Sequence, residues 1–402
     1  MTDPPATPPP RVTPPLVRPS RVGPSRPAVT GPAVEHSVAA ARTRVAVVFG
    51  GRSSEHAVSC LTARGVLAAL DPARWDVVPI GIARDGRWVL ESSDPERFAM
   101  TAGRLPEVAD DAAAVLLPPG GTALTVVPAG RPPREIGAVD VVFPLLHGPF
   151  GEDGTLQGLL EMAGVRYVGS GVLASAAAMD KHVAKVLLAA AGLPVGVWAL
   201  LPPGPVSDTS RVEISALGLP VFVKPARAGS SFGISRVETW AGLDAAVAEA
   251  ALHDPRVVVE AAVVGRELEC GVLGRADGGP PDTSVVGEVT VGAGSAFYDF
   301  TAKYGQGSGT GLSVPADLPV AVSGRVREHA ARAFTALGCE GLARVDFFLR
   351  PDGELVLNEV NTLPGFTEQS MFPRLWAATG LDYPALVDRL LETALARPLG
   401  LR

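Results

Sequence analysis

The strongest constraint on the fold of this chain is a series of short apolar segments that each end in a glycine turn. Val45–Phe49 runs into Gly50-Gly51, and Val139–Leu146 runs into His147-Gly148. Apolar runs of this length, bounded by glycine, read as buried strands. Between the first of them and a further strand at Trp75–Ala83 lies Ser54–Leu70, which carries helical periodicity. Strand–helix alternation up to about Gly169 predicts an α/β unit with a parallel sheet.

Beyond that point the pattern changes. Asp180–Ala191 reads as a helix with Asp180 near its start, and Pro220–Lys224 as a strand leading into the Gly/Ser-rich turn Arg227–Gly233. A helix at Ala241–Leu252 and a β-branched strand at Arg256–Val264 complete a second, smaller α+β unit. From Arg266 the strands lengthen (Glu267–Leu273, Ser284–Val291, Ala343–Leu349, Glu354–Val360), with helices at Arg325–Leu337 and Tyr383–Ala396. These predict a larger, antiparallel sheet, and the glycine-rich Gly305–Leu312 suits a mobile lid. The expected domains are 43–170, 171–262 and 263–402. Residues 1–42 stand apart: eleven prolines in the first 34 positions block helix and sheet ladders. A disordered tail of polyproline character is expected there.

Composition matters mainly for what it excludes. With 402 residues, 47% of them hydrophobic, the chain can fill full-sized cores. A net charge of −7 and the lack of a basic run argue against a nucleic-acid partner. No apolar stretch reaches the roughly 18 residues of a bilayer span, so no membrane insertion is expected. Three widely spaced cysteines, Cys60, Cys270 and Cys339, suit a reducing, cytoplasmic setting and offer no zinc site. Of the 35 basic residues only Lys181, Lys185, Lys224 and Lys303 are lysine. GC-rich codon usage accounts for the arginines. Lysine is kept at positions where arginine's planar fork would not serve.

Four segments carry chemistry. In Lys224-Pro-Ala-Arg-Ala-Gly-Ser-Ser-Phe-Gly233 a strand meets a glycine-serine loop. Small residues let backbone N–H groups approach a polyphosphate, and the lysine adds a point charge. The lysine precedes the loop, so this is not a Walker A motif, and a plain Gly/Ser turn is the alternative. Arg344-Val-Asp346 and Asn358-Glu-Val-Asn361 are strands whose alternation puts Arg344 with Asp346, and Glu359 with Asn361, on common faces. Hard oxygen donors among apolar neighbours suit Mg²⁺ completed by phosphate oxygens. Val257–Val263, containing Glu260 and followed by Glu267, resembles a hinge that reads an adenine edge. Glu55, after the Gly50-Gly51 turn, suits an ammonium group. His147 opens a glycine-rich turn at the end of a strand, where α/β sheets place ligands, although a lone histidine there is commonly structural.

Taken in order, these segments resemble one family. Gly50-Gly-x-Ser-x-Glu-His56, His147-Gly-x-x-Gly-Glu-Asp-Gly154, Met179-Asp-Lys181 and Lys224-Pro-x-Arg-x-Gly-Ser-Ser231 come first. Phe297-Tyr-Asp-Phe-Thr-Ala-Lys303-Tyr304, Arg344-Val-Asp346 and Asn358-Glu-Val-Asn-Thr-Leu-Pro-Gly365-Phe-Thr follow. The chain is similar, over about residues 44–398, to the D-alanine–D-alanine ligases of the ATP-grasp superfamily. The resemblance implies a three-domain ATP-grasp architecture whose first domain is a parallel α/β unit. It implies ATP-dependent joining of two D-alanines through a D-alanyl phosphate, for peptidoglycan precursors, by a homodimer.

The resemblance also assigns roles. Lys181, Lys224, Ser231 and Lys303 match ATP-binding positions, while Glu260, Val263 and Glu267 match the adenine and ribose contacts. Ala261 stands where relatives often have lysine. Asp346, Glu359 and Asn361 match the ligands of two Mg²⁺ ions, or Mn²⁺ in their place. Arg344 and the Gly365 N–H match the groups that stabilise the transition state. Glu55, Ser230 and Tyr304 match a linked set around the first D-alanine, His147 a residue beside it, and Ser370 the group that binds the second carboxylate. Thr301 departs from the family, where glutamate is frequent. Tyr304 favours D-alanine over D-lactate as second substrate. A D-lactate or D-serine ligase of the same fold, and a non-catalytic sensor of nucleotide or D-amino acid, remain alternatives.

Overall fold

The computed structural model describes residues 42–101, 103–229, 232–290 and 311–400. The proline-rich tail and most of the glycine-rich lid expected above lie outside the described residues. No helix among the described residues is long and apolar enough to cross a membrane.

Three sheets organise the described residues. In the first, eight strands lie in the order Arg134–Ala138, Ala123–Val127, Ala114–Leu116, Trp88–Leu90, Trp75–Ile82, Thr43–Gly50, Val141–Pro144 and Arg166–Tyr167. Only the last four run parallel. Their crossovers include helices His56–Ala69 and Thr155–Ala163. The other half is antiparallel, which corrects the expectation of an all-parallel sheet. The physical reason is local: after Ile82 a short turn closes at Gly86, whose N–H donates to the Ala83 carbonyl, and no helix intervenes to bring the chain back parallel. The strand Thr43–Gly50 is the buried spine, with Val45, Val47, Val48 and Phe49 fully inaccessible.

The second sheet is antiparallel, in the order Ser235–Val237, Val221–Pro225, Val257–Ala261, Trp198–Leu201. Strand alternation sorts its residues: Val221 and Val223 pack inward with Val257, Val259 and Ile214, so Phe222 and Lys224 face the other way. The third sheet has five antiparallel strands, ordered Gly311–Ser313, Asp282–Thr290, Arg266–Leu273, Leu342–Leu349, Leu355–Asn361.

Helices Val172–Met179 and Asp208–Ser215 were not named in the sequence reading, and two further helical results differ from it. The helix expected from Arg325 begins at Val320, directly after Pro319. Helix Met371–Thr379 was not expected, and it contains Pro373. Pro373 falls in the first turn, where the N–H has no intrahelical partner to lose. Helix Tyr383–Ala396 forms as predicted. Leu386, Val387, Leu390 and Leu391 join a core that runs from the first sheet through Leu363, Phe366 and Phe372. The end of the chain therefore fastens the loop after Asn361 to the first sheet.

Candidate active site

A cavity of about 400 Å³ lies between the second and third sheets. Lys181, Lys224, Glu260, Val263 and Glu267 all line it, as do Arg344, Asp346, Glu359 and Asn361. The structure thus brings together every described residue expected at the nucleotide and the metal. Ser230, Ser231, Lys303 and Tyr304, with Thr301, lie outside the described residues.

One wall is built on lysine. Asp180 caps helix Lys181–Ala190, accepting the N–H groups of His182 at 3.0 Å and Val183 at 3.1 Å. That cap fixes Lys181 in the first turn, and Lys185 lies one turn on, on the same face. Lys181 Nζ donates to the Ala228 carbonyl at 2.7 Å, tying the helix to the glycine-serine loop. The loop's base is held by Arg227, whose guanidinium forks onto Asp254 at 2.8 and 2.7 Å. Pairing of Phe222 with Glu260 across the second sheet sets Lys224 beside that carboxylate, Nζ to Oε2 3.0 Å. Lys185 Nζ approaches the other oxygen at 3.5 Å. Burial works against a charged Glu260, but Lys224 and Lys185 overcome it and bring its pKa down to about 2. Burial also pulls the ammonium pKa values of Lys181 and Lys185 below the ordinary lysine value. The hinge is pinned by the N–H groups of Ala261 and Ala262, which donate to the Val197 and Pro220 carbonyls at 3.1 Å each. Val263 follows these ties.

The facing wall is built on arginine and carboxylates. Arg344 forks onto Asp346, Nε to Oδ1 2.8 Å and Nη2 to Oδ2 2.7 Å, and its Nε lies 2.9 Å from Glu269 Oε2. Register makes this inevitable: Asp346 pairs with Glu359 on one side and Glu269 on the other, and Arg344 pairs with Asn361. Burial disfavours the guanidinium charge, yet Asp346 and Glu269 outweigh it, so the Arg344 pKa stands well above its usual value.

The donor set fits a divalent cation. Asp346 and Glu359 oppose one another, and the Asn361 amide lies between them, Nδ2 to Asp346 Oδ2 2.9 Å and to Glu359 Oε1 3.5 Å. Turning the amide over presents its carbonyl oxygen instead. Two carboxylates and an amide leave the other positions of a magnesium octahedron to phosphate and water.

A second group of residues borders this cavity. Glu55 precedes helix His56–Ala69 but makes no side-chain cap. Its carboxylate is turned instead toward Gly148 and Gly229, where an added Cβ would come within 3.0 and 3.4 Å of Oε2. Gly148 has φ +71°, so both backbone conformation and space require glycine. His147 is buried, with Nδ1 3.5 Å from Glu152 Oε1. Burial opposes its imidazolium, but the bond to Glu152 and the charge of Glu55 prevail and raise its pKa above the ordinary value. Glu152 and Gly229 also line the main cavity, so the two groups are continuous.

Gly365 and Ser370 do not line that cavity. They follow Asn361 in a loop pinned by Phe366, whose ring meets Phe143 at 5.8 Å and Tyr383 at 5.5 Å, and whose carbonyl accepts the Tyr383 hydroxyl at 2.7 Å. Ser370 sits before helix Met371–Thr379 without capping it; its Oγ meets Thr367 Oγ1 at 2.8 Å. The first N–H groups of that helix are suited to a carboxylate.

Sequence reading did not assign Glu152 or Glu269 to the site, and placed Lys185 only near Lys181, on the same helix face, without a role. Glu152 stood in a quoted motif without a role. The signal for Glu269 was its two-residue spacing from Glu267 on one strand face, and for Lys185 its helical spacing from Lys181.

Lysines from a helix and one antiparallel sheet, facing carboxylates on another sheet across a slot wide enough for a nucleotide, are the construction of the ATP-grasp class, and this chain is of that class. Comparison with known proteins narrows it. Residues 44–170 match the D-ala D-ala ligase N-terminus family, and residues 187–392 the D-ala D-ala ligase C-terminus family. The D-alanine–D-alanine ligase of Kineococcus radiotolerans is 60% identical over 374 residues, covering 90% of this chain and 99% of that protein. That of Mycolicibacterium smegmatis is 56% identical over 368 residues, covering 90% and 98%. Among solved structures, the VanG D-Ala:D-Ser ligase from Enterococcus faecalis matches with TM-score 0.75 at 36% identity, over 88% of this chain and 99% of that one. The D-alanine–D-alanine ligase from Coxiella burnetii matches with TM-score 0.73 at 33% identity, over 88% and 94%. The chain belongs to the D-alanine–D-alanine ligase family.

Proposed function

We propose that this chain joins two D-alanines at the expense of ATP, through a D-alanyl phosphate, to supply a peptidoglycan precursor. The observation that carries the reading is the single cavity in which the lysine wall and the arginine–carboxylate wall face each other, within a chain 60% identical to a D-alanine–D-alanine ligase. The triphosphate lies along Lys181 and Lys224, with the base at Glu260 and Val263 and the ribose at Glu267. Asp346, Glu359 and Asn361 would hold Mg²⁺, which when bound neutralises phosphate charge. Arg344 carries a planar fork to the charge that develops on the transferred phosphoryl group and the acyl phosphate. Glu55 receives the ammonium of the first D-alanine, with His147 beside it. The Gly365 N–H faces the developing oxyanion. Ser370 and the helix N-terminus behind it take the carboxylate of the second.

The domains 43–170, 171–262 and 263–402, a homodimer and a cytoplasmic location belong to the same proposal. D-Alanine is preferred as second substrate because the relatives at 53–60% identity are D-alanine–D-alanine ligases, whereas the D-Ala:D-Ser ligase stands at 36%. Phosphate release by the purified protein, measured with D-alanine alone and with D-alanine plus D-serine or D-lactate, tests the reading. Turnover with D-alanine alone is expected. Release only when D-lactate or D-serine is added would replace it.

A further inference from the structure

Three lysines converge on one side of the cavity, and the proposed function uses two of them. Lys185 is the third. It is 3% exposed, its Nζ lies 3.5 Å from Glu260 Oε1, and the Trp198 ring stands 5.9 Å away. Lys224 holds the other carboxylate oxygen at 3.0 Å. Glu260 itself is 8% exposed, so its charge needs a partner at every stage. Lys224 cannot be that partner throughout, because a bound triphosphate draws its ammonium to the phosphates. Lys185 has no such competing call: it sits deeper than Lys224, with side-chain exposures of 4% and 15%.

We propose that Lys185 is the positioning residue of the nucleotide site: it keeps Glu260 ionised and fixed once Lys224 turns to phosphate, and so makes the hinge select a purine that carries an exocyclic amine. The proposal rests on the nucleotide reading of the cavity given above. An ionised carboxylate is an acceptor only, so it receives the amine of adenine and opposes the 6-oxo group of inosine or guanine. A protonated Glu260 could donate to a 6-oxo group, and selection would fade. Selection by a buried polar group is strong for this reason, since the wrong base leaves it unpaired. Lysine suits the place better than arginine because a compact ammonium fits the single oxygen that Lys224 leaves open.

The test measures dissociation constants of ATP and inosine triphosphate by calorimetry on the full chain. The unaltered protein is expected to prefer ATP. In Lys185→Met, ATP binding should weaken about tenfold or more while inosine triphosphate changes less, so the ratio contracts. Lys185→Arg should recover part of that ratio by restoring charge. Lys185→Met with Glu260→Gln removes the uncompensated carboxylate. It should melt higher than Lys185→Met alone without regaining selectivity, which separates a folding defect from the proposed role. A ratio unchanged in Lys185→Met, but lost in Glu260→Gln, would overturn the role of Lys185 and leave the nucleotide reading standing. A ratio unchanged in Glu260→Gln would overturn both.

Discussion

The two walls of the cavity solve the same problem with different cations. On one wall Lys181 and Lys185, from a helix, and Lys224, from the second sheet, surround Glu260. On the third sheet Arg344 forks onto Asp346 and touches Glu269. A lysine ammonium is a point charge on a flexible stem and can change partners as a substrate arrives. A guanidinium is a rigid plane that makes two bonds in one fixed geometry. The difference suggests a division of labour. In the proposed reaction the lysine wall would adapt to the nucleotide, while the arginine wall would hold a geometry that the transition state completes. Asp346 is pivotal here: it is both the proposed metal ligand and the partner of Arg344, so a cation held there would share that carboxylate with the fork.

The sharpest way to break this contrast is to put lysine on the arginine wall. Arg344→Lys keeps the charge and loses the fork. Turnover should fall about a hundredfold or more, with the ATP dissociation constant little changed. Near-normal turnover in that variant would show that charge alone suffices. The converse variant on the other wall is Lys224→Met. It should raise the KM for ATP by about ten- to a hundredfold, the value of one hydrogen bond to a charged group, with a smaller effect on kcat. A kcat loss with unchanged KM would move Lys224 from binding to chemistry.

Much of this contrast is written in the sequence, and the reasons are physical. Asp346, Glu359 and Asn361 are readable because a two-residue period places polar groups on one face of otherwise buried strands. Lys224 and Glu260 are readable for the same reason, one on each of two paired strands. What could not be read depends on pairing between distant segments. Glu269 reaches Arg344 only because strand Arg266–Leu273 lies beside Leu342–Leu349, and no local pattern announces that register. The antiparallel half of the first sheet was missed because short strands after Trp88 look alike in either direction. Helix Tyr383–Ala396 was readable as a helix. That its apolar face completes the core of the first sheet, far away in the chain, is a tertiary fact.

The walls should also differ in how they respond to acid. Glu260 has its pKa held near 2 against an ordinary 4.5, so its ion pairs stabilise the fold above pH 4.5. That contribution is lost as pH falls through the window from 4.5 to 2. Thermal melts across this window should fall more steeply for the unaltered protein than for Glu260→Gln, which has no carboxylate to protonate. Parallel curves would mean that Lys224 and Lys185 do not stabilise the charged form.

The smallest effect tests whether the contrast belongs to the cavity or to arginine generally. Arg227 also forks onto a carboxylate, Asp254, at the base of the glycine-serine loop, but its side chain is 48% exposed. Water already screens this pair, and Asp254 keeps the backbone N–H groups of Arg227 and Arg256 as donors. Arg227→Lys should therefore cost about 1 kcal/mol of stability or less, read as a small downward shift in the thermal melt. Turnover should stay within a few-fold of the unaltered protein, because Lys181 still ties the loop through the Ala228 carbonyl. A loss of turnover as large as that of Arg344→Lys would place the fork at Asp254 in the chemistry itself, and the division between an adaptable lysine wall and a rigid arginine wall would no longer hold.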